Sequence, residues 1–418
     1  MMAPDIRTLF QVFGRIGVLS FGGPAAQIAL MHKELVEDRD WLNEEQFLRA
    51  LSFCMLLPGP EAMQLATYAG WRLRGTLGGL IAGLLFVIPG ALVVAALALG
   101  YAYFGNIPWV QAAFVGIKAT VTIIVLQALY KVAKRALHHA TDWMIAGAGF
   151  LSLFALHIPF PIVIAVAGII GAVRSQNDSA TPSDPVVRPK TLQTLIFWSA
   201  LWAAPIALCI ALEAPFFTDI ALFFSKLAIV TFGGAYAVLA YMAQEVVSAY
   251  GWISPEAMID ALGLAETTPG PLILVTEFVA LLAGFAEGGP TVALAAGALS
   301  LWVTFVPCFL WISVGAPYLD LLSSMPRLRG ALAAITAAVV GVILNLSIWF
   351  AAHVFFGSVG EATLGPVQVI APDWGTVDLV SVALAGLAAV MLLALKIGIE
   401  KTLFVTAIFG LASGLYAM

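Results

Sequence analysis

Charge is scarce in this chain. Asp, Glu, Lys and Arg make up 10% of the 418 residues, against 61% apolar residues. A soluble domain carries about 25% charged and about 45–50% apolar residues. With a mean hydropathy of +1.00, that shortage excludes a water-soluble fold of this length. There is no basic excess: 19 Lys and Arg stand against 24 Asp and Glu, which argues against nucleic acid as a partner. Cysteine is nearly missing. Cys54, Cys209 and Cys308 are an odd number set in apolar runs, so a secreted disulfide scaffold is excluded. The 5 His are scattered with no Cys–His cluster, so neither a metal nor another cofactor is expected. No nucleophile–base pair points to an enzyme. A cleavable signal peptide is also lacking, because Gly22-Gly23-Pro24 interrupts the place where its apolar core should run on. What remains is an all-α polytopic membrane protein whose first partner is the lipid bilayer.

Residues 75–117, 191–212, 288–319, 330–360, 379–395 and 402–418 hold no Asp, Glu, Lys or Arg. A membrane helix needs about 20 mostly apolar residues. The first of these stretches holds one helix and most of a second, with Asn106-Ile107-Pro108 as the turn. Residues 144–156 and 158–173 are shorter candidates beside Pro159 and Pro161. Between Arg174 and Lys190 the chain reads RSQNDSATPSDPVVRPK, which is linker composition. This divides it into an N-terminal half, 1–173, a cytoplasmic linker, 174–190, and a C-terminal half, 191–418. The last begins with an extra connecting span, 191–212.

The halves repeat each other. Ser20-Phe21-Gly22-Gly23 matches Thr231-Phe232-Gly233-Gly234 at an offset of 211. Without a gap, Met31, Glu34, Trp41 and Glu45 match Met242, Glu245, Trp252 and Glu256, and Pro58-Gly59-Pro60 matches Pro269-Gly270-Pro271. Pro89 and Pro307 then pair at offset 218. Equivalent loops differ in basic residues. Lys33 and Arg39 face a counterpart loop with none, as do Arg72 with Arg74, and Lys131 with Lys134 and Arg135. The neutral turn at 105–108 faces Arg327 and Arg329. Basic residues favour the cytoplasm, so the halves are expected to be inverted, with Lys33, Arg39, Arg135, Arg174, Arg188, Lys190, Arg327 and Arg329 cytoplasmic. Inverted repeats with discontinuous helices are the plan of secondary transporters.

The discontinuities are expected at Phe21-Gly22-Gly23-Pro24 and at Pro58-Gly59-Pro60, with their second-half counterparts, as re-entrant hairpins or half-helices. Pro60 and Pro271 suit the first turn of a following helix, where free N–H groups attract an anion. The plainer reading, in which Gly and Pro merely permit close packing, is weakened by the recurrence of both motifs. Arg15 and Lys226 each lie six residues before the Phe of their motif, and Lys118 falls near mid-helix. Intramembrane charges are functional candidates by default. Their alternatives are snorkelling to the interface for the first two and a carboxylate partner for Lys118. Glu61 follows Pro60, and Glu266 and Glu277 bracket the second PGP. The two have no carboxylate opposite them in the first half, where Met55 and Ala66 stand. A carboxylate beside an anion-binding helix end can couple proton and anion, because only its protonated form admits the anion.

SFGGPAAQIALMHKELV, LLPGPEAMQLATYAGW, LAIVTFGGAYAVLAY and LAETTPGPLILVTEF resemble the chromate ion transporter family in its long-chain, two-domain form. The resemblance covers essentially the whole chain. It implies a multi-pass protein of the bacterial inner membrane that exports chromate by proton antiport and confers chromate resistance. It places Arg15, Phe21, Gly22, Gly23, Pro58, Gly59, Pro60, Glu61 and Gln64 in first-half motifs. Phe232, Gly233, Gly234, Glu266, Pro269, Gly270 and Pro271 fall in second-half motifs. Met63 and Glu277 depart from it, since Gln is expected at both. The residues alone say "small anion". On them, Arg15, Ser20, Phe21–Gly23, Lys118, Lys226 and Phe232–Gly234 are the expected substrate contacts. Glu61, Glu266 and Glu277 are the expected proton-coupling groups, and Pro24, the PGP motifs and Gln64 form the helix breaks. Sulfate or another oxyanion, an anion channel, and a homodimer stay open.

Overall fold

The computed structural model describes residues 4–175, 191–232, 235–364 and 367–417. Most of the expected linker, with Arg188 and Lys190, and both Gly233 and Gly234 lie outside them. The helices are α1 (Ile6–Leu19), α2 (Gly23–His32), α3 (Glu44–Cys54), α4 (Glu61–Phe104), α5 (Pro108–Ala136), α6 (Ala140–Phe154), α7 (Phe160–Arg174), α8 (Thr191–Ala211), α9 (Pro215–Val230), α10 (Ala235–Gln244), α11 (Pro255–Thr267), α12 (Val275–Gly315), α13 (Leu319–Ser324), α14 (Pro326–Phe355), α15 (Leu379–Ala389) and α16 (Ile399–Ala417). Among the described residues, five helical segments are long and apolar enough to cross a membrane: Glu61–Phe104, Pro108–Ala136, Thr191–Ala211, Leu272–Leu322 and Pro326–Phe355. The protein is an all-α membrane protein, with one exception that was not expected. Strands β1 (Val359–Leu364) and β2 (Val367–Pro372) form an antiparallel hairpin. The alternation Val367-Gln368-Val369 was its available signal.

α4 and α12 are not straight rods. Arg74-Gly75 and Gly288-Gly289 leave helical geometry, with Gly75 at φ +62° and Gly289 at φ +76°. Each chain reverses there. Residues 16 apart would be about 24 Å apart in a straight helix. Yet a methyl placed at Gly83 would sit 2.5 Å from the Thr67 hydroxyl, and one at Gly297 would sit 2.8 Å from Leu281 Cγ. Each helix is therefore a hairpin of a short and a long arm, 61–73 with 76–104 and 275–287 with 290–315.

Local chemistry sets the other helix ends. Asp5 caps α1 by accepting from the Thr8 N–H. Asn43 and Gln46 form a reciprocal capping box on α3. Pro108 opens α5 at a position where its missing N–H is not needed.

The chain falls into two compact units. The first holds the described parts of Met1–Ala98, Arg174–Ala235 and Thr268–Arg329. Its core includes Phe13, Phe47, Phe53, Phe86, Phe224 and Phe278, all fully buried. α8 adds one buried side chain, Trp198, stacked on Phe309 at 5.6 Å. Most of the rest of α8 is apolar and partly or fully exposed, as suits a helix in lipid.

The second unit holds Leu99–Val173, Tyr236–Thr267 and the described part of Gly330–Met418. There α5 and α16 pack through small residues. A methyl at Gly116 would lie 1.9 Å from the Thr406 carbonyl, and the Thr120 and Thr406 hydroxyls are 2.7 Å apart. Small residues and interhelical hydroxyls are how helices associate where lipid is the solvent.

Candidate functional site

The first unit gathers the motifs. α1 and α9 end in the same way. Ser20 Oγ donates to the Ile16 carbonyl at 2.5 Å, and Thr231 Oγ1 donates to that of Leu227 at 2.6 Å. Phe21 and Phe232 then turn back, their N–H groups donating to Leu19 and Val230. The hydroxyls satisfy last-turn carbonyls that the helices leave open.

Each PGP loop is tied to the turn of the other half. The Gly59 N–H donates to the Thr231 carbonyl at 2.8 Å, and the Gly270 N–H donates to the Ser20 carbonyl at 2.9 Å. Both glycines are left-handed, φ +120° and +90°, where a side chain is strained. Each loop also abuts a long arm. A methyl at Gly59 would lie 3.0 Å from Cys308 Sγ, and one at Gly90 would lie 2.2 Å from the Pro269 carbonyl. Gly90 and Cys308 are themselves 218 apart. Gln27 locks the second crossing, its Nε2 donating to the carbonyls of Ser20, 3.2 Å, and Gly270, 2.6 Å. Gln64 Nε2 donates to Pro58 at 2.7 Å.

At the crossing lies a cavity of about 20 Å³, bordered by Pro24, Gln27, Gly59, Pro60, Glu61, Thr231 and Pro271. That is room for about one water. Gln27 is 1% exposed, and its Oε1 has no protein partner. Glu61 is the first residue of α4, where a negative charge complements the helix dipole. The Gly59 and Gly270 N–H groups, just before the helix ends where an anion was expected, are spent on carbonyls.

The three basic candidates do not border this cavity. Arg15 is exposed, with Nε 3.5 Å from Glu34 Oε1. Glu34 is buried and also accepts from Arg39. Lys226 is exposed on α9. Lys118 belongs to the second unit and meets a carboxylate, its Nζ 3.6 Å from Asp260 Oδ2.

Glu266 is buried in the second unit and accepts from the Tyr236 hydroxyl at 2.7 Å. Glu277, in the first, is 4% exposed, with Oε2 lacking a protein partner. The structure revises its register. A short 3-10 turn, Leu272–Leu274, precedes α12, so α4 starts directly after its PGP and α12 three residues later. The two reversals are accordingly 214 apart, at Gly75 and Gly289. Glu277 is the third residue of α12, as Met63 is of α4. The two departures from the expected Gln thus occupy one structural position.

Gln27, Tyr101 and Asp260 were missed. Asp260 carried a readable signal, being an acid inside the apolar run Met258-Ile259-Asp260-Ala261-Leu262. It stands where the first half has Arg49.

A chromate transporter family model matches residues 7–172 and 218–415. The chain belongs to the chromate transporter family. A "Probable chromate transport protein" of Synechococcus elongatus is 31% identical over 82% of this chain and 85% of its own. The "Chromate transport protein" of Cupriavidus metallidurans is 30% identical, covering 81% of this chain and 80% of its own. That of Pseudomonas aeruginosa is 32% identical, covering 80% and 78%. No solved structure matches the chain.

Proposed function

We propose that this family member moves chromate out across the inner membrane in exchange for protons, through two inverted halves. The observation that carries the reading is the crossing itself. Both PGP motifs, Thr231 of the second-half turn, and Pro24 and Gln27 just after the first-half turn border one cavity beside a helix N-terminus and Glu61. Chromate is a tetrahedral dianion that helix ends can hold without a metal. A cavity of about 20 Å³ does not hold it, so binding requires the breaks to part. Parting would free the Gly59 and Gly270 N–H groups at the moment an anion needs donors. Arg15 and Lys226 supply positive charge along the approach. Glu61 gates, and Glu266 and Glu277 are buried acids available to the coupling. Moving two negative charges outward is favoured by about 4.6 kcal/mol at 100 mV, and proton exchange adds the pH gradient.

Labelled chromate uptake into inverted vesicles tests the reading, with and without a pH gradient and with sulfate as competitor. Gradient-driven uptake is expected. Full competition by sulfate would move the substrate assignment to oxyanions in general, and flux indifferent to the gradient would indicate a channel. Inversion has its own test. Asp38 and Ser248 are both exposed after equivalent helices. Cysteines placed there, with Cys209 replaced, are expected to label from opposite sides. Labelling of both from one side would overturn the inverted arrangement.

A further inference from the structure

α11 carries three carboxylates, and the two buried ones, Asp260 and Glu266, are each held by a tyrosine. Tyr101 donates to Asp260 Oδ2 at 2.7 Å, as Tyr236 does to Glu266 Oε1. Asp260 also has a cation, with Lys118 Nζ 3.6 Å from that same oxygen. Its second oxygen, Oδ1, is buried without a protein partner, and the residue is 3% exposed. The approach of α5 depends on Gly263, where a methyl would lie 2.5 Å from Ile117 Cγ2.

A buried ion pair repays its desolvation only when the remaining lone pairs are satisfied. Here one oxygen is not. An ionised Asp260 leaves a buried charged oxygen with no protein partner, and a proton on Oδ1 removes the charge that makes this costly. The same proton cancels the attraction that holds Lys118. Protonation thus favours a second arrangement, in which Asp260 is neutral and Lys118, still charged, is no longer held by it.

We propose that Asp260 carries the coupling proton of the transport cycle, with Lys118 as the counter-ion that its protonation releases. This rests on the proton-coupled reading above. Hydronium from the proton-rich side gives its proton to Oδ1 and leaves as water, and the Lys118 link to Oδ2 opens. On the other side water takes the proton from Oδ1 and the link closes again. Tyr101 from α4 favours the ionised form by donating to it. The other groups around the site are Glu256 one turn back on α11, influenced by His353 of α14, Glu266 further along α11, and Glu400 and Lys401 in the first turn of α16, which also packs on α11.

The test uses the full chain in proteoliposomes and separates chromate counterflow at equal pH from accumulation driven by a pH gradient. Asp260→Asn is expected to keep counterflow within about twofold and to lose about tenfold or more of driven accumulation, within the range of coupling free energies. Removing one partner of a buried pair can unfold a protein, so Asp260→Asn with Lys118→Met is made alongside. It is expected to insert, exchange chromate and stay uncoupled. Driven accumulation restored in the double variant, or kept in Asp260→Asn while the wild type is driven, would make the pair structural and overturn the proposal. A wild type with counterflow but no pH response overturns this proposal and the coupling reading together. Absence of any chromate counterflow overturns the substrate reading instead.

Discussion

Gly59 and Gly270 receive the same backbone partner from opposite halves, at 2.8 and 2.9 Å. Ser20 and Thr231 close their helices with the same hydroxyl bond. Side chains around these matched backbones diverge. α3 presents Arg49, exposed and bridged to Glu45 and Asp320. At the same place α11 presents Asp260, buried and bonded to Tyr101 and Lys118. Glu34 is clamped by two arginines, while Glu245 has Tyr241 beside it. Geometry fixed by Gly, Pro and Ser/Thr recurs, whereas the partners of equivalent charges do not. The two turn–loop crossings are built alike, and the side chains around them give each half a different chemistry.

The largest expected effect tests the shared frame. Gly59→Val and Gly270→Val each force a branched side chain into left-handed backbone, costing about 1–3 kcal/mol. Each also crowds its loop, against Gln64 and Cys308 in one case and Leu274 in the other. Both variants should insert yet lose chromate flux to a similar degree, measured in vesicles beside thermal unfolding in detergent. A harmless Gly270→Val beside a dead Gly59→Val would break the equivalence.

Charge comes next. An ionised Glu61 at the cavity repels each charge of an approaching anion by on the order of 4 kcal/mol at 4 Å and an effective dielectric of 20. Falling pH should therefore tighten chromate binding, by linkage between proton and anion. Glu61→Gln should flatten that pH dependence of chromate affinity, while Glu277→Gln, which also restores the residue expected there, should change it less. Equal flattening by both would place the two acids in one role.

The smallest effect lies in the hydrophilic loop after α2, which distinguishes the first half. His32 hydrogen-bonds Glu44 at 2.6 Å and Glu37 at 3.1 Å. The Glu44 bond, with help from Glu37, raises its pKa above the usual 6.5 despite partial burial. A raised folded value stabilises fully below the unfolded pKa, about 6.5, and the gain is lost as pH rises through the folded value. Thermal unfolding from pH 5 to 9 should show that loss, within about 1 kcal/mol as for surface pairs. It should vanish in His32→Gln.

Much of this architecture was readable from composition and punctuation. Charge-free runs located the long helices, and Gly and Pro located the breaks, because lipid tolerates few exceptions to either rule. The partners of Ser20 and Gly59 were not readable, since a backbone bond between residues hundreds of positions apart leaves no local pattern. Lys118 illustrates the limit. Its depth was evident, but its carboxylate sat in a segment judged by its PGP motif alone. The reversal at Gly288-Gly289 hid for a related reason. It interrupts no apolar periodicity, and it shows only in the backbone at Gly288-Gly289 and in the packing of Gly284 and Gly297 across it.

The exchanged bonds between turn and loop also bear on biosynthesis. Gly270 is made 250 residues after Ser20, about 12–50 s later at ordinary translation rates of about 5–20 residues per second. Throughout that interval the Ser20 carbonyl has no loop to receive. Until then only Gln27 of its own half holds that carbonyl, and the turn is expected to stay open to proteases until the second PGP arrives. Ribosome-bound chains stopped before and after residue 270 should differ in protease sensitivity at Phe21–Gly23.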